Sequence, residues 1–215
     1  LREQKTCYAP SEGLPQTLDT IRAYSERAGL RAIQDVYVGN GCSECIEVAL
    51  AALVNPGDNV LLPCPGYPLY PAVLCKLGCE AVPYYLDESN GWQPDLDDLA
   101  KKINARTKAI VLINPNNPTG SVCEESTLRR MLELADRHNV MLFSDEIYDR
   151  LVLDGGKHFP VASLTDDVPV LTFTGMSKAF LCPGLRLGWG VLTGSPSRLN
   201  AYREAVHKFL RARLC

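Results

Sequence analysis

This sequence predicts an α/β fold: a doubly wound, mostly parallel mixed sheet flanked by helices. Three observations carry that expectation. Short apolar runs alternate with longer helical patterns along the chain, which indicates one wound sheet rather than two separate domains. The run at 107–113, Thr-Lys-Ala-Ile-Val-Leu-Ile, is nearly continuously apolar, as strands covered on both faces of a parallel sheet are. Several runs also end in loops rich in Gly, Pro and Asn, which continue neither helix nor strand.

Taken in order, a turn-rich entry at 8–14 precedes a helix at 15–27, with Leu18, Ile21 and Tyr24 on one face. Residues 36–38 form a short strand that runs into Gly39-Asn40-Gly41-Cys42-Ser43-Glu44 and a helix through Leu53. A buried strand at 59–63 ends in Pro65-Gly66-Tyr67-Pro68, where the prolines hold the chain extended and lift Tyr67 out of regular structure. A helix at 69–77 and a strand near 81–85 follow. Pro94-Asp95 then opens a helix that is acidic at its start and closes on Lys101-Lys102, charges suited to the helix dipole. The strand at 107–113 exits into Asn114-Pro115-Asn116-Asn117-Pro118-Thr119-Gly120. The amphipathic helix at 124–138 turns Leu128, Met131, Leu132 and Ala135 inward, and a strand at 140–143 leads to Ser144-Asp145-Glu146-Ile147-Tyr148. Residues 154–158 read as a polar loop. The run at 168–173 delivers the chain into Thr174-Gly175-Met176-Ser177-Lys178. A Pro183-Gly184 turn, Arg186 and a second apolar run at 187–192 come next, before a helix-like stretch at 198–214.

The 215 residues suffice for one well-buried domain, and 46% hydrophobic with 22% charged residues is ordinary for a soluble globular protein. A net charge of -3 without any basic block gives no sign of nucleic-acid binding, and no apolar run reaches the length of a membrane span. Nine cysteines scattered through apolar segments point to buried reduced thiols and an intracellular, cytoplasmic setting. Cys42 and Cys45 have the spacing of a redox or zinc pair but no matching second pair, so no metal is expected. None of His138, His158 and His207 is assigned to chemistry.

Four features could carry chemistry. A lysine ending a buried strand, Lys178, can be partly desolvated, which favours the free amine needed for a Schiff base. Arg186 offers a planar fork for a phosphate. The glycine-rich turn Gly39-Asn40-Gly41-Cys42-Ser43-Glu44 at a helix start is a ready anion site. Asp145, just past a buried strand, serves either as a helix N-cap or as a buried functional carboxylate.

Ser177-Lys178 with Arg186 eight residues on, preceded by Asp145-Glu146-Ile147-Tyr148 and by the 114–120 loop, resembles the fold-type-I pyridoxal-phosphate aminotransferases. The sequence is most similar to their alanine and tyrosine branches, from about Tyr8 to Leu192. The resemblance implies pyridoxal 5'-phosphate as cofactor and an amino acid and a 2-oxo acid as substrates. It gives Lys178 as the amine that joins the cofactor aldehyde, and Asp145 as the group holding a proton on the pyridine nitrogen. Tyr148 and Asn117 would meet the ring oxygen and Tyr67 would stack on the ring. Gly41, Cys42, Ser43, Ser177 and Arg186 would surround the phosphate, and Tyr8 would reach the cofactor of a partner subunit in a homodimer. Gly175 stands where many relatives place a phosphate-binding serine. On the same resemblance, 1–195 form the cofactor-binding large domain without its N-terminal arm. Residues 196–215 begin a helix toward an absent C-terminal small domain that would carry the arginine for the substrate carboxylate. The same motifs serve pyridoxal-phosphate C–S lyases, and a non-catalytic fragment or regulator domain of this fold is the remaining alternative.

Overall fold

The computed structural model describes residues 8–153 and 155–213. Its elements in chain order are α1 (Pro15–Arg27), β1 (Ile33–Asn40), α2 (Cys42–Leu53), β2 (Asn59–Cys64), α3 (Leu69–Lys76), β3 (Glu80–Asp87), β4 (Gln93–Pro94), α4 (Leu96–Lys102), β5 (Thr107–Ile113), α5 (Glu125–His138), β6 (Met141–Asp145), β7 (Val170–Gly175), β8 (Leu187–Thr193) and α6 (Pro196–Ala212). Short 3₁₀ turns lie at Glu88–Asn90, Val161–Leu164 and Pro183–Leu185.

One eight-stranded sheet runs in the order β1-β8-β7-β6-β5-β2-β3-β4. Its centre is parallel: β2 pairs in that sense with β3 and β5, β5 with β6, and β6 with β7. Antiparallel pairing enters through β8, which lies between β7 and β1, and through the two-residue β4 beside β3. The mixed, mostly parallel sheet expected from the sequence is present.

Helices cover both faces, and the strands divide their side chains between them. Ala109, Val111 and Ile113 of β5 join a core with α2, α3 and α6, through residues such as Ala49, Leu74 and Leu199. Ile110 and Leu112 join the opposite core with α1, α4 and α5, including Ile21, Leu99 and Leu128. This period of two with both faces apolar is why β5 reads as one unbroken hydrophobic run. Within the first core Phe143 and Phe173 meet edge to face, centroids 5.5 Å apart, an arrangement contributing about 1 kcal/mol beyond its buried area.

Caps follow local chemistry. Asp95 accepts from the N–H groups of Asp97 and Asp98 and starts α4, and Asn139 closes α5 in the left-handed conformation. Several bounds differ from expectation: β3 and β6 run longer, β7 lies two residues later than 168–173, and β4 is an additional short strand. β1 is longer than residues 36–38, because its pairing with β8 reaches from Ile33 opposite Thr193 to Asn40 opposite Leu187. It lies at a sheet edge, where polar Gln34 and Asp35 are tolerated. α6 starts two residues early, on Pro196, and buries Leu199, Tyr202, Val206 and Leu210.

Among the described cysteines all seven are free; Cys45, Cys79 and Cys123 are buried, whereas Cys75 is exposed. Among the described residues no helix is long and apolar enough to cross a membrane.

Candidate active site

The carboxyl ends of β2, β5, β6 and β7, with the start of α2, surround a cleft of about 240 Å³. Ligands of open α/β sheets bind at this edge, where strands hand over to loops. Its lining contains Cys42, Ser43, Tyr67, Asn117, Asp145, Tyr148, Ser177, Lys178 and Arg186, together with Ile46, Ile113, Ile147 and Pro183. Residues from five separate stretches of sequence thus meet in one place.

At one end, backbone bonds from Met176 N–H to the Leu187 carbonyl and from Leu181 N–H to the Lys178 carbonyl hold the lysine loop. Lys178 itself is exposed, so the expected partial desolvation of its amine is not met. It stands three residues past the end of β7, on the open lip of the cleft. Arg186, also exposed, is held by the carbonyls of Pro183 and Asn40 that its guanidinium donates to, at 3.1 and 3.4 Å. A further anchor lies outside the cleft: the Arg150 guanidinium sits over the rings of both Tyr24 and Phe180, 5.0 Å from each centroid.

The glycine turn works differently from the sequence expectation in one respect. The Gly41 N–H is occupied by the carbonyls of Gly39 and Arg186, both at 2.8 Å, so it is not a free donor for an anion. What Gly41 supplies is clearance, since a Cβ there would collide with the Arg186 guanidinium. Cys42 and Ser43, the first residues of α2, have first-turn N–H groups with no acceptor inside the helix. Gly175 has a comparable reason: a Cβ would lie 2.8 Å from the Leu187 carbonyl and 2.9 Å from the Gly188 Cα. No serine side chain fits there without moving β8.

At the other end Asp145 terminates β6, 4% exposed. Burial raises its carboxyl to about 6, against the pull of the Ile147 N–H and the Tyr70 hydroxyl. Burial also raises the phenol of Tyr148, with the Asp145 and Tyr67 groups adding to it. Glu146 faces away from the cleft. Its Oε1 accepts from Ser144 Oγ at 2.8 Å and from Val161 N–H at 3.0 Å, while Oε2 lies 3.5 Å from Nε2 of His158. Burial pushes Glu146 up to about 8 and His158 down to about 4.

Asn117 projects from a loop that other asparagines tie down. Asn114 Oδ1 accepts from Cys123 N–H at 2.9 Å, and Asn116 Oδ1 accepts from the Thr119 hydroxyl at 2.9 Å. Those bonds leave the half-buried Asn117 amide for the cleft. Tyr67, 38% exposed, also lines the cleft. Tyr8 is fully exposed and lines no part of its own chain's cleft. Sequence reasoning missed Tyr70, which bonds Asp145, and the Glu146–His158 contact. A second tyrosine three residues after Tyr67, at the start of a helix, was the available signal for the first.

These residues fit pyridoxal phosphate on the chemistry of the donor set. An amine, a buried carboxylate, a phenol and an amide face one cleft whose rim carries an arginine and a helix start, and the glycines keep that rim open.

A family profile described as "Aminotransferase class I and II" matches residues 3–212. The glutamate-pyruvate aminotransferase AlaA of Haemophilus influenzae is 42% identical over 210 residues, covering 97% of this chain and 52% of that protein. The tyrosine aminotransferase of Mus musculus is 40% identical over 184 residues, covering 85% of this chain and 40% of that protein. Among solved structures, the alanine aminotransferase from Pyrococcus furiosus superposes with a TM-score of 0.93 at 39% identity, covering 100% of this chain and 55% of that one. The chain spans about half the length of the curated relatives it matches.

Proposed function

The chain belongs to the class I and II aminotransferases, and on that premise we propose that it carries the cofactor-binding part of a pyridoxal-phosphate transaminase. Its reaction moves an amino group between an amino acid of alanine or tyrosine type and a 2-oxo acid. The observation supporting this most is the convergence of Lys178, Asp145, Tyr148, Asn117, Tyr67, Ser177 and Arg186 on one cleft.

When bound, pyridoxal phosphate supplies an aldehyde and an electron-accepting ring. Lys178 would hold that aldehyde through Nζ, and the same amine would move the proton at the substrate α-carbon. Asp145 keeps a proton on the ring nitrogen. Tyr148 and Asn117 hydrogen-bond the ring oxygen, and Tyr67 fixes the ring plane by stacking. Arg186, Ser177 and the first-turn N–H groups of Cys42 and Ser43 take the phosphate. We place a second copy of the chain against the lip of the cleft, where Leu181 and Leu185 are 80% and 65% exposed. Fully exposed Tyr8 then reaches toward that copy's phosphate. The seven free thiols among the described residues fit a cytoplasmic, reducing compartment.

An amino-transfer assay with full-length protein, alanine or tyrosine as donor and 2-oxoglutarate as acceptor, tests the reading. Transfer is expected, and Lys178→Ala reduces it by roughly 10⁴-fold. Release of ammonia from the donor without any dependence on 2-oxoglutarate contradicts it.

A further inference from the structure

Asp145 has a partner that its own motif does not contain. Tyr70, in the first turn of α3, is 1% exposed, and its hydroxyl donates to Asp145 Oδ2 at 3.0 Å. The other carboxylate oxygen receives only a long bond, 3.3 Å, from the Ile147 N–H. No lysine, arginine or histidine pairs with Asp145 among the described residues. The nearby Cys42 thiol is itself held neutral by burial and by the Asp145 charge. A carboxylate buried without a cation depends on hydrogen bonds to stay charged, and each donor lost favours its neutral form. The phenol is a reliable donor, since burial and the Asp145 charge raise its own pKa well above the ordinary value.

We infer that Tyr70 is the positioning residue for Asp145. It fixes the rotation of the carboxylate through Oδ2, maintains its charge, and leaves Oδ1 with lone-pair capacity for a cationic ring nitrogen in the cleft. This rests on the cofactor reading above. Tyr70 touches neither cofactor nor substrate and acts only through Asp145.

The test is a carboxyl-carbon NMR titration of Asp145 in the cofactor-free full-length protein, its resonance identified by its loss in Asp145→Asn. In Tyr70→Phe the ring stays and only the hydroxyl goes, and the Asp145 midpoint is expected to move up by about one pH unit. In the loaded protein, the pH below which pyridoxal phosphate is lost moves up with it. An unmoved midpoint overturns the inference, and so does a midpoint that moves while the cofactor profile stays. If Tyr70→Phe fails to fold, the parent decides: the Tyr70 ring carbon bearing the hydroxyl must shift at the Asp145 midpoint, and a flat response overturns the coupling. A parent that binds no cofactor defeats the reading of the site, which is visible before any Tyr70 variant is made.

Discussion

Asp145 and Glu146 are consecutive, 4% and 3% exposed, yet they serve opposite sides of the sheet. Asp145 looks into the cleft and is held by Tyr70 of α3. Glu146 looks back toward the other core, where Ser144, Val161 and His158 enclose it. Burial raises both carboxyls, to about 6 and about 8. The difference lies in what surrounds them. The front carboxylate opens onto a cleft and stays ionised at neutral pH, whereas the back one is sealed in and stays neutral beside a neutral imidazole. The same desolvation thus acts on a carboxyl that lines a cleft on one side and on one enclosed by hydrogen-bonding neighbours on the other.

That contrast is open to direct attack. The largest effect expected is on the front: Asp145→Asn removes the charge at nearly constant shape and lowers transfer by roughly 10³-fold. Thermal stability holds or rises, because a costly buried charge has gone. Steady-state kinetics with a parallel melt checks it, and a large loss of stability with activity retained reverses the assignment of the two sides.

The back is tested by pH. An unfolded glutamate titrates near 4.3, so the stability carried by neutral Glu146 is complete below that pH and is lost as pH rises toward its folded value of about 8. Glu146→Gln keeps an acceptor for Ser144 and Val161 but cannot titrate. The variant is expected to flatten the decline of stability between about pH 5 and 8, a change of at most about 1.4 kcal/mol per pH unit. Denaturant unfolding at three pH values reads it, and parallel pH slopes in the two proteins contradict the neutral assignment.

The smallest effect concerns the link between the two regions. Arg150, five residues after Asp145, packs over Tyr24 and over Phe180, two residues after Lys178. Arg150→Ala is expected to cost about 1 kcal/mol of stability and to speed amide exchange in the 178–182 loop. Unchanged exchange there means that the clamp does not hold the lysine loop.

Much of this architecture was legible from residue order. The β5 run matched its strand to the residue, because a strand buried on both faces leaves an unbroken apolar signature. Edge strand β1 was read short, since polar Gln34 and Asp35 hide a strand whose partner, β8, lies some 150 residues away. The cleft residues were reached through motifs, and the structure brings them together. What the motifs could not supply were contacts between distant segments: Tyr70 with Asp145 at a separation of 75 residues, and the carbonyls that occupy the Gly41 N–H. Solvent exposure of Lys178 was likewise invisible, since it depends on where the loop leaves the sheet.

Lys178 at the lip and Asp145 at the base are expected to flank one pyridoxal ring. Borohydride reduction of the full-length protein after incubation with pyridoxal phosphate, followed by peptide mass spectrometry, addresses this most directly. The cofactor mass is expected on the peptide bearing Lys178 in the parent, with weaker retention in Asp145→Asn. A label on another lysine, or retention indifferent to Asp145, contradicts it.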